Sequence, residues 1–294
     1  MSTNYPIVKV KTKDEFTLHG MLTKPEDFSK TIVIHFHGCA GSFYGNIYFE
    51  QLTKSIIDLG LAFLATNNRG SGVYHLEKGS PYSGVSLEKF EDCILDIDAW
   101  IEFALSRGYE NIILEGHSYG TEKSVYYMNK GKYADKVIGV MLFGFSDNVG
   151  TQIKYEKSIG KSYKQEAEEL NSKGEAWKLL SDYFGLSGEM PISAQTYLHG
   201  FTEDSENANA LPLRKGRDLT FFKNIKVPIL GVISDDEDGE YTIIPIKDAV
   251  ELLKSENKLA EAYIIKDTDH VFTGKEKELI ETVIDFLKRR VLNK

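Results

Sequence analysis

The stretch Asn111–Met128, NIILEGHSYGTEKSVYYM, opens as an apolar run rich in β-branched residues and closes with helical spacing. At the change stands Gly116-His117-Ser118-Tyr119-Gly120, a serine with a glycine two residues to either side. A strand that turns directly into a helix forces the residue at the turn into strained backbone angles and crowds it with chain on both sides. Glycines at 116 and 120 remove the side chains that would collide. The Ser118 oxygen is then exposed at a sheet edge, and the Tyr119 amide, at a helix N-terminus, faces any negative charge that develops beside it. G-x-S-x-G occurs by chance in many sequences. The strand before it and the helix after it give this one its meaning.

The same alternation runs outward in both directions. YPIVKVKT and FTLHGMLTK read as an antiparallel pair at the start of the chain. TIVIHFHG (Thr31–Gly38) is a near-continuous apolar run, as in a strand buried on both faces. A helix is expected in YFEQLTKSIIDLG, a strand in LAFLATNN and a long helix over Leu87–Arg107, where Phe90, Ile94, Ile97 and Ile101 form one stripe. VIGVMLFGF and VPILGVIS read as buried strands, followed by a helix near Pro245–Leu253, the strand EAYIIK and a last helix near Lys275–Leu287. This pattern predicts an α/β fold with a mostly parallel central sheet and helices on both faces. Between Asp147 and Phe222 the rhythm breaks into helical and loop-like text with no buried strand. A structureless loop of that length is improbable in a compact domain. The expected division is an α/β core at 1–146 and 223–294 with a mainly helical insertion at 147–222.

Composition bounds the function. The chain has 294 residues and a net charge of −9, with no basic cluster, which argues against nucleic acid and anionic membrane surfaces. The N-terminus lacks the apolar region of a signal peptide, and no run reaches the ~20 apolar residues of a membrane helix. Two cysteines, Cys39 and Cys93, are too few for a disulfide framework. The expectation is a soluble cytoplasmic protein. No metal-spaced set of His, Cys and Asp appears, so neither a metal nor another cofactor is expected.

A serine hydroxyl is a weak nucleophile and needs a base. Among seven histidines, His270 lies in IIKDTDHVFTGKEKEL, between the last strand and the last helix, where the order Ser…acid…His places the base. His35 and His37 read as structural, and the elbow turns His117 away from the nucleophile. The carboxylate that orients the base should follow VPILGVIS, where Asp235, Asp236, Glu237, Asp238 and Glu240 crowd together. Asp238 is the choice, with Asp236 and Glu237 as alternatives. A second oxyanion donor belongs on the turn after the third strand, HFHGCAGSFYGN, where Gly38 and Gly41 allow close approach. The amide of Cys39 is the candidate, paired with that of Tyr119. The Cys39 thiol as a rival nucleophile lacks an elbow to hold it.

His37-Gly38, NNRGSG (Asn67–Gly72), GHSYG, the acidic strand end and DHVFTG occur in the order of the α/β-hydrolase superfamily, which the chain resembles over nearly its whole length. The resemblance implies the α/β-hydrolase fold and a Ser-His-acid triad carried onto Ser118, His270 and Asp238, with the insertion in the position of a helical cap. Within the superfamily the chain is similar to small capped serine esterases such as cinnamoyl and siderophore esterases. One departure is the acidic loop SDDEDGEYT, longer than the common turn. The implied activity is hydrolysis of a small-molecule carboxylic ester through an acyl-enzyme. Amide hydrolysis, C–C hydrolysis, acyl transfer and a non-catalytic ligand-binding homologue are the alternatives. A serine rather than an aspartate at the elbow argues against haloalkane dehalogenase and epoxide hydrolase chemistry. Tyr44, Tyr119, Tyr197 and Phe201 are candidates to line the pocket, and a homodimer is left open.

Overall fold

The computed structural model of the chain describes residues 6–237 and 241–292. These build one eight-stranded sheet in the spatial order β1-β2-β4-β3-β5-β6-β7-β8. The strands are β1 Ile7–Lys11, β2 Thr17–Thr23, β3 Thr31–Phe36, β4 Ala62–Thr66, β5 Asn111–His117, β6 Val137–Phe143, β7 Ile229–Ser234 and β8 Ala260–Ile265. The first two pair antiparallel, as does β2 with β4, and every later pairing is parallel. This is the α/β-hydrolase fold that the motif order implied.

The burial of each strand follows its sequence pattern. In β3, β4 and β7 every residue is buried, whereas β2 alternates between buried and half-buried positions. The two faces of a central strand carry successive residues. Ile32, Ile34 and Phe36 pack toward α2 (Cys93–Ser106), α3 (Tyr119–Lys130) and α8 (Ile246–Glu256). Val33 packs toward α1 (Phe49–Asp58) and α9 (Glu276–Phe286). Helix α1 shows why it lies there: Phe49, Leu52 and Ile56 are its buried residues, one stripe at helical spacing.

The long helix expected from Leu87 starts later. Lys89 is extended, Phe90–Asp92 form a 3₁₀ turn, and α2 begins at Cys93. The cause is Glu88, whose carboxylate is drawn into the interior by the Lys123 ammonium at 2.7 Å. Of the expected stripe, Phe90, Ile97 and Ile101 are buried and Ile94 is half-buried, with Phe90 in the 3₁₀ turn that precedes α2.

Between β6 and β7 the chain makes α4 (Asn148–Ile159), α5 (Lys164–Ser172), α6 (Ala194–Gly200) and α7 (Thr220–Asn224), with isolated bridges and no strand. This stretch contributes Tyr163, Ile192, Tyr197 and Phe201 to a third apolar cluster that also contains Tyr119 and has Cys39 and Ala40 packed against it.

Helix α3 also buries a carboxyl group. Glu122 accepts hydrogen bonds from the Asn148 backbone and side chain, and burial, then the nearby Asp147 carboxylate, pushes its pKa up to about 8. The folded chain therefore holds a proton on Glu122 that the unfolded chain releases above 4.5, so this group's contribution to stability falls as pH rises from 4.5 to about 8. The gain in Tm on Glu122→Gln should accordingly be larger at about pH 9 than at about pH 5. Thermal melts across that range check it, and a gain independent of pH would reject the buried-proton account.

Candidate functional site

The carboxyl ends of the parallel strands gather the candidate residues at one edge of the sheet, where α/β folds place their ligands. Ser118 follows β5 directly with φ 56° and ψ −126°, a conformation that L-residues rarely adopt. Its amide donates to the Phe143 carbonyl at 2.8 Å, and its own carbonyl accepts from the Thr121 amide and hydroxyl at 2.8 and 2.6 Å. Both glycines are sterically required. A Cβ on Gly120 would stand 2.1 Å from the Phe36 carbonyl oxygen, and one on Gly116 would stand 2.3 Å from that of Gly120.

The loop after β3 lies against the serine, since a Cβ on Gly38 would come within 2.6 Å of Ser118 Cβ. This places the following residue, Cys39, beside the nucleophile candidate. Tyr119 is the first residue of α3, and amides in a first helical turn have no partner within the helix. Burial, with Glu88 nearby, pushes the Cys39 thiol well above its ordinary value, which keeps it protonated and poorly nucleophilic.

The loop is anchored by His37, which reads as structural, and by the NNRGSG segment, whose part in holding the loop the sequence did not specify. His37 donates from Nδ1 to the Gly38 carbonyl at 2.7 Å and accepts at Nε2 from the Asn68 amide at 3.1 Å. Burial lowers its pKa to about 3, so it is neutral, as that bonding requires. Asn68 Nδ2 donates to the His37 carbonyl at 3.1 Å, and Asn67 Oδ1 accepts from the Phe43 amide at 2.8 Å. The NNRGSG segment thus grips both ends of the Gly38 loop. Asn68 Oδ1 in turn takes a long contact of 3.4 Å from Lys123 Nζ, which lies 4.7 Å from the centre of the Tyr119 ring. His35 is structural in a different way. It faces Glu115 across β3 and β5 in a close buried pair, and burial lowers the one and raises the other, so both are held neutral.

His270 lies on the loop between β8 and α9, half-buried, with its ring stacked on Tyr241 at 4.5 Å between centroids and 13° between planes. A Cβ on Gly144, next after β6, would meet the imidazole at 2.9 Å. The Ser118 amide bonds to Phe143, so the two candidates converge at the end of β6. They are also tied together by His117, whose Nε2 donates to the His270 carbonyl at 2.9 Å. The elbow turns this side chain away from the candidate nucleophile and onto the loop that carries the candidate base. The bond is expected to position His270. His117→Ala should lower kcat about 10- to 100-fold with little change in KM, and His117→Gln, which keeps a donor, should recover most of it. Equal losses in both variants would reject the positioning role.

Asp238, the chosen acid, lies outside the described residues. Of the alternatives, Asp236 is exposed, and Asp235–Glu237 form one 3₁₀ turn at the end of β7. Tyr197 and Phe201 are 3% and 1% exposed, with Phe201 stacked on Tyr119 at 5.4 Å; they pack as core, whereas Tyr44 is largely exposed. A cleft of about 220 Å³ beside Tyr241 is lined by Thr151, Tyr155, Ser187 and Glu189 among others. Among the described residues no group of three His, Cys, Asp or Glu could hold a metal ion, and no helix is long and apolar enough to cross a membrane.

Comparison with known proteins supports this architecture. An esterase from Pyrococcus furiosus superposes with a TM-score of 0.60 at 19% identity, covering 99% of this chain and 92% of that one. Est1E from Butyrivibrio proteoclasticus, in a structure with ferulic acid bound, gives 0.65 at 14% identity, covering 97% and 99%. An esterase from Exiguobacterium antarcticum gives 0.57 at 17% identity, covering 96% and 99%. At these identities the shared property is the fold. A search of curated proteins finds no significant match. The model of a family described as a protein of unknown function (DUF1749) matches residues 59–288, and the chain belongs to that family.

Proposed function

We propose that this DUF1749 member is a serine hydrolase that cleaves carboxylic esters. The observation that carries the reading is Ser118, held at φ 56° on a strand-to-helix turn with the His270 loop bonded to its neighbour His117. Strain of this kind persists only where surrounding structure imposes it, and a hydroxyl held on such a turn is what a nucleophile served by the His270 imidazole and the amides of Tyr119 and Cys39 would require.

In the proposed reaction Ser118 Oγ attacks the ester carbonyl while His270 takes its proton. The amides of Tyr119 and Cys39 stabilise the tetrahedral oxyanion. Collapse expels the alcohol, which receives the proton from His270, and leaves an acyl-enzyme. Water, deprotonated by His270, then attacks the acyl carbon, and the carboxylic acid departs as Ser118 regains its proton. Asp238 is the proposed partner that orients His270 and stabilises its cation.

Residues 147–222 are proposed as the cap and 1–146 with 223–294 as the core. Stacking of Phe201 on Tyr119 supports this, because it seats the helical segment beside the nucleophile's own helix. The cleft beside Tyr241 is the proposed mouth for the ester. Its small size and mixed polarity favour compact substrates over long acyl chains. The structural neighbour with ferulic acid bound makes aryl esters worth including among the substrates.

The direct test is labelling with a fluorophosphonate followed by peptide mapping. An adduct on Ser118, with parallel loss of p-nitrophenyl acetate hydrolysis, is expected. An adduct only on another residue, or hydrolysis that continues after Ser118 is fully labelled, would reject the mechanism.

A further inference from the structure

The lining of a hollow of about 710 Å³ includes none of the residues assigned above to catalysis. One wall is the chain after β4, with Val73, Tyr74 and Tyr82, and the other is the segment between α5 and α6, with Trp177, Leu179 and Tyr183. Leu87 and Pro191 complete the apolar surface, with Ser86 and Gln195 between them. The walls are fastened together: Ser86 Oγ donates to the Pro191 carbonyl at 2.7 Å, the Ser193 amide to the Ser86 carbonyl at 2.9 Å, and Gln195 Nε2 to the Leu87 carbonyl.

Strand-like alternation separates this hollow from the apolar cluster that contains Tyr119. Leu179 bridges Ser193, and the Leu180 amide bonds to the Ile192 carbonyl at 2.9 Å. Successive residues of such a ribbon face opposite ways. Leu180 and Ile192 are buried in the cluster that holds Tyr119, while Leu179 and Pro191 face the hollow. The ribbon is a partition with an apolar surface on each side.

The lining defines its ligand by chemistry. Tyr82, Trp177 and Tyr183 are 67%, 63% and 65% exposed, an unusual convergence of large rings left open to water. No Lys, Arg, Asp or Glu is among the lining residues, which disfavours phosphates, carboxylates and amines. The Ser86 hydroxyl and a Gln195 amide hydrogen are already used in joining the walls, so the floor offers mainly apolar contact and the faces of rings. The volume lies within the ~300–1,000 Å³ of small-molecule pockets, and the concave shape suits a compact guest better than a flat partner surface. We infer that this hollow is a second small-molecule site, distinct from the proposed catalytic centre, which binds an uncharged planar aromatic compound by stacking.

The test uses the full chain and the neutral fluorophore N-phenyl-1-naphthylamine, titrated at fixed protein concentration. Saturable binding is expected. Trp177→Ala should raise Kd about tenfold through loss of ring contact, and Leu179→Glu should raise it at least as much by placing a charge in the apolar wall. Ser158 lines the cleft beside Tyr241, so Ser158→Trp, which narrows that cleft, should leave Kd unchanged. Both positions in the hollow are exposed, so folding should survive, and circular dichroism checks it. The readout is binding, so it stands whether or not Ser118 is a nucleophile. Absence of saturable binding, or equal Kd values in wild type, Trp177→Ala and Leu179→Glu, overturns the inference. So does loss of binding only in Ser158→Trp, which would put the probe at the catalytic cleft. Sedimentation that shows a dimer, with probe binding lost as it forms, would assign the face to a second copy and overturn it as well.

Discussion

Ser118→Ala should reduce kcat for p-nitrophenyl acetate by on the order of 10⁴-fold or more while leaving the fold intact. The backbone bonds of Ser118, to Phe143 and from Thr121, do not involve its hydroxyl and survive in alanine. Alanine keeps the same Cβ, so the positive φ at this turn costs the variant about what it costs the wild type. What disappears is the oxygen that would form the acyl-enzyme. His270→Ala should lose a comparable factor, and the double variant should be scarcely worse than either single one, because a nucleophile without its base and a base without its nucleophile are equally idle. Folded Ser118→Ala with near-normal turnover would sink the serine mechanism. Losses that multiply in the double variant would show that the two residues act in separate steps.

Lys123→Met should destabilise the protein by about 3–5 kcal/mol, the largest effect expected on stability. Lys123 and Glu88 are each 1% exposed at the side chain and 2.7 Å apart. Removing the ammonium leaves a buried carboxylate with no counter-charge. The deficit should shrink in acid, where Glu88 can protonate in the folded and unfolded states alike. Glu88→Gln combined with Lys123→Met removes both charges and should recover most of the loss. Urea unfolding of the three variants at neutral and acidic pH measures this. A Lys123→Met variant as stable as wild type at neutral pH would mean that Glu88 is relieved by water or by a proton. The pair also lies beneath Tyr119 and touches Asn68, so activity should fall in the single variant beyond what unfolding explains.

The sequence by itself determined the features encoded in near neighbours. Gly116, Ser118 and Gly120 specify the turn because the collisions they avoid arise within a few residues or with the adjacent strand. Strands β3, β5, β6 and β7 were legible because burial on both faces demands unbroken apolar text, and the pale alternation of β2 was legible for the opposite reason. The placement of His270 after the last strand follows from chain order. Tertiary structure alone decided what depends on distant pairs. His117 meets the His270 carbonyl across 153 residues, and Asn68 meets His37 across 31. Nothing in the sequence singles out Glu88, Glu115, Glu122 and Lys123, since such residues usually lie at the surface, yet each is buried beside a partner supplied from another element. The shortened α2 has the same origin: helical spacing favours Leu87–Lys89 as its start, and the ion pair from Glu88 to α3 outweighs that local preference. Local propensities are worth tenths of a kcal/mol per residue, while an unpaired buried charge costs several, so the distant partner sets the outcome.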